Sequence, residues 1–175
     1  HGPAVVVLDP VMVSKSGHRL LDEGAVRALV DEVLPLATVL TPNLPEARDL
    51  LLALGHEGGG ELASWPEPGT STAASLAAEL WRLTGKAVLL KGGHSGGPSS
   101  DDILAWSGGL EVYPGERLEA LHTHGTGCSL SSALAVFLAR GLSLGESVWA
   151  AKAWVRKGIA EGLAVGKGCG PIHHF

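Results

Sequence analysis

A short run of small and nucleophilic residues precedes a helical pattern in the last third of the chain. Residues 125–128 read Gly-Thr-Gly-Cys, and apolar residues follow at helical spacing. The first backbone N–H groups of a helix have no partners within it, and together with the helix dipole they attract anions. Glycines let a ligand approach the backbone and permit positive φ. The pattern predicts an anion-binding helix start at Gly125, Thr126 and Gly127, the alternative being a plain turn.

Cys128 is one of two cysteines in the chain. A thiol in the first helical turn lies in the positive field of the dipole, which favours the thiolate as a base or nucleophile. The alternative is a buried cysteine that acts as a small hydrophobe. Neither common phosphate motif is present, because Leu130 stands where a dinucleotide fingerprint needs its third glycine and Ala87 follows Gly85-Lys86. The adjacent glycines favour a chemical role for Cys128.

Polar side chains follow three predicted strands. Asp9 follows the run 5–8, Thr41, Asn43 and Glu46 come at the end of or after 38–41, and Lys91 follows 87–90. Open α/β sheets bind ligands at the carboxyl ends of their strands. Carboxylate and amide oxygens with a cation suit Mg²⁺ and polyphosphate. For each residue alone, the alternative is a polar residue that solubilises a loop.

The rest of the pattern alternates strands with helices. Asp22 predicts a helix cap before Val26, with an end before Pro35, and further helices are expected over 44–54, 72–83 and in the last third. A hairpin is expected between Asp102 and Tyr113. This order predicts an α/β fold with a mostly parallel sheet in one domain, residues 1–175, with a surface loop over 55–70. The β-branched run 5–8 is typical of a strand buried on both faces, so we expect a further N-terminal part.

Composition narrows the class of protein. The 175 residues are 45% hydrophobic with a net charge of −5, enough for one globular core. Lysine and arginine form no basic block, which disfavours a nucleic-acid surface. No apolar run approaches the roughly 18 residues that span a bilayer, and no signal peptide is recognisable. These features predict a cytoplasmic protein with reduced thiols and no membrane partner.

Four ordered motifs carry a resemblance that covers nearly the whole chain. They are VVLDPVMVSKSG, LTPNLPEA, VLLKGGH and THGTGCSLSSALA, followed by the ending GCGPIHHF. The set closely resembles the hydroxymethylpyrimidine and phosphomethylpyrimidine kinases of thiamine biosynthesis, in the ribokinase-like superfamily. Members of that family have further strands and helices before the first motif. The resemblance therefore implies the C-terminal two-thirds of a ribokinase-like three-layer kinase fold, with the N-terminal portion missing.

The resemblance implies ATP-dependent phosphorylation of 4-amino-5-hydroxymethyl-2-methylpyrimidine and then of its monophosphate. By motif, Gly125, Gly127 and Cys128 would support the transferring phosphoryl group, with Cys128 as the base and Thr126 beside them. Five other residues would bind the ATP phosphates, with Lys91 neutralising their charge: Asp9, Thr41, Asn43, Glu46 and Lys91. Asp9 and Glu46 would organise Mg²⁺, and Val11 matches a position next to the pyrimidine. A mobile loop at 15–17 and a possible homodimer are also implied.

Some features depart from the family or leave alternatives open. His18 stands where an aspartate is common, and residues 57–67 have no counterpart in the family. A pyridoxal or pyridoxine kinase of the same fold is the alternative enzyme. A non-catalytic nucleotide-binding fragment is the alternative from another class, so the activity of this chain alone is an open question.

Overall fold

A computed structural model of the protein describes residues 5–13, 18–56, 70–94, 97–120, 122–162 and 167–175. The chain forms two compact units. One is Leu8–Glu116, and the other joins Arg117–Phe175 with the residues up to Val7. The expectation of a single domain stays a prediction.

The larger unit is built on a five-stranded sheet with strands in chain order. The strands are β1 (Val7–Leu8), β2 (Val39–Leu40), β3 (Ala87–Leu90), β4 (Asp102–Trp106) and β5 (Gly109–Tyr113). β2 and β3 are parallel, whereas β4 pairs antiparallel with both β3 and β5. The α/β class is confirmed. The sheet is mixed instead of mostly parallel, because the expected hairpin adds two antiparallel pairings.

The first strand has a neighbour on one side only within the described residues. Val5, Val6, Val7 and Leu8 are half-buried, although the β-branched run predicts burial on both faces. β1 lies at the edge of the sheet described here, next to β2. An edge strand has a neighbour on one side only, which leaves its side chains partly exposed.

Helices of the larger unit agree with the predicted pattern. They are α1 (Glu23–Ala28), α2 (Leu44–Ala53) and α3 (Thr70–Thr84). Asp22 caps α1 as expected, its carboxylate accepting the Ala25 N–H at 2.8 Å. The end expected before Pro35 is wrong, because wider turns over Leu29–Val33 and a tight turn over Leu34–Leu36 continue the helical segment past this residue. Pro35 stands in the first turn of Leu34–Leu36, where its missing N–H breaks no helical hydrogen bond.

The core of the larger unit packs helices against the sheet. Leu40, Leu50, Leu80, Leu90 and Ile103 are all fully buried or within 1% of it. Burying each such side chain stabilises the fold by about 1.5–3 kcal/mol. This packing fixes the carboxyl ends of β1, β2 and β3, from which the predicted site residues extend. Helical spacing places Leu83 on the same face of α3 as the buried Leu76 and Leu80, but Leu83 is 37% exposed because it lies at the end of the helix.

The smaller unit contains two helices that pack together, α4 (Thr126–Ala139) and α5 (Leu144–Ala160). Their shared core includes Leu130, Leu134, Val148, Ala151 and Val155. Gly141, with φ of 89°, ends the turn after α4. The predicted mobile loop at 15–17 lies outside the described residues, as do residues 57–69 of the predicted surface loop over 55–70. Within the described ranges, the helices are too short or too polar to cross a bilayer.

Candidate functional site

Asp9 and Lys91 form a buried ion pair at the ends of β1 and β3. Lys91 Nζ lies 2.6 Å from Asp9 Oδ1, and the two side chains are only 11% and 14% exposed. The Thr41 hydroxyl donates to the same Asp9 oxygen at 3.3 Å, and the Thr41 N–H donates to Leu8 O at 2.9 Å. Buried charges are stable when paired and hydrogen-bonded. The two strand ends therefore place a lysine and a carboxylate in contact.

The second oxygen of Asp9 has a different environment. Asp9 Oδ2 is buried and accepts no hydrogen bond from any part of the chain that the structure describes. A buried carboxylate oxygen without a partner is costly, so such atoms usually face a ligand, an ion or water. Asp9 thus presents one oxygen to Lys91 and keeps the other available to a cation or a donor.

Glu46 adds a second carboxylate through the start of α2. Asn43 caps this helix by accepting the Glu46 N–H at 2.9 Å, and Glu46 Oε2 accepts the Asn43 N–H at 2.8 Å. This reciprocal pair is a capping box. Glu46 Oε2 also lies 3.8 Å from Lys91 Nζ. The cap therefore fixes a glutamate beside the Asp9–Lys91 pair.

Burial sets the protonation of Glu46. Its side chain is 4% exposed. Burial is the largest influence and raises the pKa of Glu46 above the usual 4.5, while the Asn43 N–H and Lys91 oppose it. Loss of hydration disfavours the charged form of a carboxyl group. Glu46 is therefore a carboxylate whose charge depends on Lys91 and on any further cation that binds nearby.

Strand pairing explains why these residues meet. Asn43 and Lys91 form a parallel bridge beyond the ends of β2 and β3, with the Lys91 N–H donating to Pro42 O at 2.8 Å. Carboxyl ends of neighbouring parallel strands meet at one sheet edge. The structure thus brings together the five residues that the sequence placed there: Asp9, Thr41, Asn43, Glu46 and Lys91. Among the described residues, no group of three or more His, Cys, Asp or Glu is arranged as a complete metal site.

Sequence reasoning missed Asp102, which supports the turn after Lys91. Asp102 is 7% exposed, and its Oδ1 accepts the Gly92 N–H at 2.8 Å. A Cβ atom at Gly92 would lie 1.9 Å from Asp101 O, so only glycine permits this approach. The available signal was a charged residue that begins an otherwise apolar strand. Asp102 and Gly92 together fix the backbone that leaves Lys91.

Glycine geometry defines the start of α4 in the smaller unit. Gly125 has φ of 85° and occupies the cap position, and the Ser129 N–H donates to Gly125 O at 3.0 Å. A left-handed cap favours glycine, since other residues are strained there. The N–H groups of Thr126, Gly127 and Cys128 come first in the helix and have no carbonyl one turn before them within it. The arrangement suits an anion.

Cys128 is exposed in this structure, which contradicts the alternative of a buried hydrophobe. The anchoring of its helix is as expected, with Leu130 and Leu134 in the core and Ala133 and Phe137 half-buried. The Ser131 hydroxyl also donates to Gly127 O at 3.1 Å. A thiol at the exposed first turn of a helix is accessible for proton transfer.

The other predicted positions are placed as follows. Val11 is 39% exposed, and its N–H donates to Asp9 O at 2.9 Å, so it belongs to the unit of the ion pair. The helix start with Cys128 belongs to the other unit. Residues 15–17 lie outside the described residues. The structure therefore defines two separate groups of candidate residues, one of buried charges and one of backbone N–H groups with a thiol.

Comparisons with known proteins agree with the motifs. The sequence model of the phosphomethylpyrimidine kinase family matches residues 1–173. A hydroxymethylpyrimidine/phosphomethylpyrimidine kinase of Rhizobium meliloti is 44% identical over 171 residues, covering 97% of this chain and 60% of the relative. The chain thus spans less than two-thirds of that curated relative.

Solved structures share the fold. The pyridoxal kinase of Bacillus subtilis, in complex with ADP, superposes with a TM-score of 0.80 at 31% identity, over 98% of this chain and 60% of that one. A phosphomethylpyrimidine kinase of Clostridium difficile gives a TM-score of 0.66 at 34% identity, over 88% of this chain and 57% of that one. These matches confirm the ribokinase-like α/β fold. Together with the motifs and the family match, they show that the chain belongs to the phosphomethylpyrimidine kinase family.

Proposed function

We propose that this chain carries the phosphate-handling part of a kinase that phosphorylates 4-amino-5-hydroxymethyl-2-methylpyrimidine and then its monophosphate, using ATP. The observation that carries the proposal is the buried group of Asp9, Glu46 and Lys91, where a cation and two carboxylates meet at the carboxyl ends of the strands. Phosphoryl transfer needs mainly positioning and charge stabilisation. The ADP complex of the related pyridoxal kinase supports a nucleotide as the phosphate donor.

Each residue has a role in this proposal. Lys91 neutralises phosphate charge, and Thr41 and Asn43 hold the strand ends that carry the carboxylates. The unpartnered Asp9 Oδ2, with Glu46 beside it, fits Mg²⁺, which takes one or two carboxylates and completes its shell with phosphate and water oxygens. When bound, Mg²⁺ would neutralise charge on the polyphosphate. Val11 contacts the pyrimidine.

The helix start performs the transfer step. Cys128, as thiolate, accepts the proton of the substrate hydroxymethyl group, whose oxygen bonds to the γ-phosphorus. The bond from that phosphorus to the bridging oxygen breaks, and ADP leaves with the electron pair. Gly125, Thr126 and Gly127 supply the helix start whose N–H groups stabilise the equatorial oxygens. In the second round the acceptor is the phosphate of the monophosphate.

The test is turnover of the pyrimidine alcohol with MgATP by the full-length gene product. We expect Cys128→Ala to lower kcat on the order of 10²-fold to 10⁴-fold, the usual contribution of a positioned base. Ser132→Ala is the matched control, since Ser132 is an exposed residue of the same helix. Full activity of Cys128→Ala would exclude the assigned base, and absence of activity in the unmodified protein would exclude the function.

Pyridoxal kinase is the second candidate, because a pyridoxal kinase gives the higher TM-score, 0.80 against 0.66. Both substrates are nitrogen heterocycles that carry the reacting hydroxymethyl group. Turnover of the two alcohols by the same preparation separates the candidates. A slow rate on the pyrimidine together with a fast rate on pyridoxal would make pyridoxal kinase the first candidate.

Two further parts of the proposal concern the chain as a whole. Calorimetric titration of residues 1–175 with MgATP tests whether this chain is a non-catalytic nucleotide-binding fragment, and phosphotransfer by it would refute that alternative. A homodimer in the cytoplasm, without a nucleic-acid or membrane partner, is the expected assembly. Sedimentation of the full-length gene product measures its oligomeric state.

A further inference from the structure

The C-terminal segment pairs with the residues directly before the glycine-rich helix start. The His124 N–H donates to Gly170 O at 3.1 Å, and the Ile172 N–H donates to His124 O at 3.4 Å. These bonds enclose a parallel bridge between His124 and Pro171. Ile172 is 1% exposed, so the segment is anchored in the core of the smaller unit. The chain end is thus part of the structure that surrounds Gly125.

Side chains add to this pairing. The Gly170 N–H donates to His122 Nδ1 at 3.0 Å, and the Thr123 N–H donates to Cys169 Sγ at 3.5 Å. A histidine that accepts at Nδ1 carries its ring proton on Nε2. Three consecutive residues, 122–124, therefore each bond to the chain end.

Helix α5 also contacts the C-terminal segment. The His173 N–H donates to Gly158 O at 2.9 Å. A Cβ atom at Gly158 would lie 2.5 Å from His173 O, which is too close for any side chain. The imidazole of His174 also lies against Trp154, with ring centroids 5.7 Å apart. Gly158 is therefore the point where the chain end crosses α5.

The pairing reaches the helix start through one further contact. The Thr126 hydroxyl donates to Thr123 O at 3.3 Å, across the left-handed Gly125. The backbone before Gly125 thus has fixed partners on both sides. Because a glycine adopts many backbone conformations, these partners select the φ of 85° that Gly125 has here.

We propose that residues 170–173 are positioning residues for the helix start: they hold 122–124 so that Gly125 presents the first N–H groups of α4 and Cys128 in reactive geometry. This inference rests on the proposed function of that helix start. Small displacements of positioned groups cost on the order of 10-fold to 100-fold in rate, even when they arise at a distance.

His122 provides the first test. His122→Leu removes the acceptor for the Gly170 N–H, whereas His122→Asn keeps an oxygen near the place of Nδ1. In the full-length gene product, we expect His122→Leu to lower kcat on the order of 10-fold, with KM for the pyrimidine unchanged, and His122→Asn to restore most of it. Equal kcat in His122→Leu and the unmodified protein would overturn the proposal.

A second test substitutes Gly158, where the C-terminal segment crosses α5, with a residue that favours helix formation. Gly158→Ala raises helix propensity but forces His173 away, and Gly24→Ala is the matched control because its Cβ would meet only Asp22 Oδ1 at 3.4 Å. We expect faster hydrogen exchange at Gly170, His173 and the peptide 122–130 in Gly158→Ala alone. Unchanged exchange in this variant would overturn the proposal.

Combination with Cys128→Ser separates this inference from the proposed function. Because the chain end positions Cys128 as well as the N–H groups of the helix start, His122→Leu should lower kcat by a smaller factor in Cys128→Ser than in the unmodified protein, so that the two effects are less than additive. Full additivity would overturn the inference. Full activity of Cys128→Ser would instead reject the assigned base, and faster exchange at 122–130 in His122→Leu would still support the positioning role.

Discussion

Two capping boxes in the described part of the chain have the same local chemistry and opposite electrostatics. Asn43 and Glu46 cap α2, and Ser143 and Glu146 cap α5, each glutamate accepting the N–H of its cap residue, at 2.8 Å and 2.9 Å. Burial raises the pKa of Glu46. Hydrogen bonds from the Ser143 hydroxyl and N–H lower the pKa of the exposed Glu146. The local motif begins a helix in both places, but only burial beside Lys91 makes one of its glutamates a candidate for ligand chemistry.

Removal of Lys91 should produce the largest difference between the two boxes. Lys91→Met leaves Asp9 and Glu46 buried without their cation, and we expect a loss of about 3 kcal/mol in the free energy of unfolding, because breaking a buried pair strands a charge. Urea denaturation measures it. Lys86→Met is the control, since Lys86 Nζ donates to Pro35 O in an exposed position, and it should cost about 1 kcal/mol or less.

Addition of Asp9→Asn sharpens this prediction. The double variant removes one stranded carboxylate and should recover part of the stability while kinase activity stays low. A double variant no more stable than Lys91→Met alone would show that Asp9 is not the group destabilised by the loss of the lysine.

Replacing the two cap residues with alanine should give the next largest loss of stability. Asn43→Ala removes the acceptor for the Glu46 N–H in a part-buried site. We expect it to lower the free energy of unfolding by about 2 kcal/mol, the upper end of the range for N-cap substitutions. Ser143→Ala, at an exposed site, should cost about 0.5 kcal/mol. Thermal or urea unfolding compares them. Equal losses would show that burial does not distinguish the two caps.

The smallest effect concerns the pH dependence of stability. A raised pKa means that folded Glu46 binds its proton more tightly than the unfolded chain, so its contribution becomes less favourable as pH rises from 4.5 through the folded pKa. Glu146 has a lowered pKa and behaves oppositely, its contribution being complete above 4.5 and lost as pH falls through the folded pKa.

Glutamine variants measure this difference, since Gln keeps an oxygen for the cap N–H. Relative to the unmodified protein, the unfolding free energy of Glu46→Gln should rise as pH increases above 4.5, and that of Glu146→Gln should fall as pH increases toward 4.5 from below. A parallel pH profile for the two variants would contradict the assigned directions.

Much of this fold follows from local sequence patterns. Asp22 and the spacing after it give the first helix, and the turn residues between Trp106 and Gly109 give the hairpin. The edge strand and the exposed Leu83 were not predictable in this way, because partial burial depends on which neighbours pack there. Sequence periodicity reports one face of an element and not how far the core extends along it.

The candidate site residues also divide into those that the sequence predicts and those that need the tertiary structure. Asp9, Asn43 and Lys91 were predictable because strand ends of a parallel sheet meet at one edge. Asp102 was not predictable from the sequence. Its carboxylate accepts a hydrogen bond from the N–H of Gly92, ten residues earlier, and this contact depends on the register between strands. The contact of Gly170 with His122 joins residues 48 apart and carries no local pattern. Long-range backbone contacts of this kind need the tertiary structure.

The contact between Trp154 and His174 gives the chain end an intrinsic optical probe. Indole emission changes with the groups stacked on the ring, and His174 lies only one residue after the crossing point at Gly158. With the other four tryptophans replaced by phenylalanine, the fluorescence of Trp154 would report departure of the chain end in real time. Stopped-flow mixing with nucleotide would then show whether the segment stays docked through a catalytic cycle.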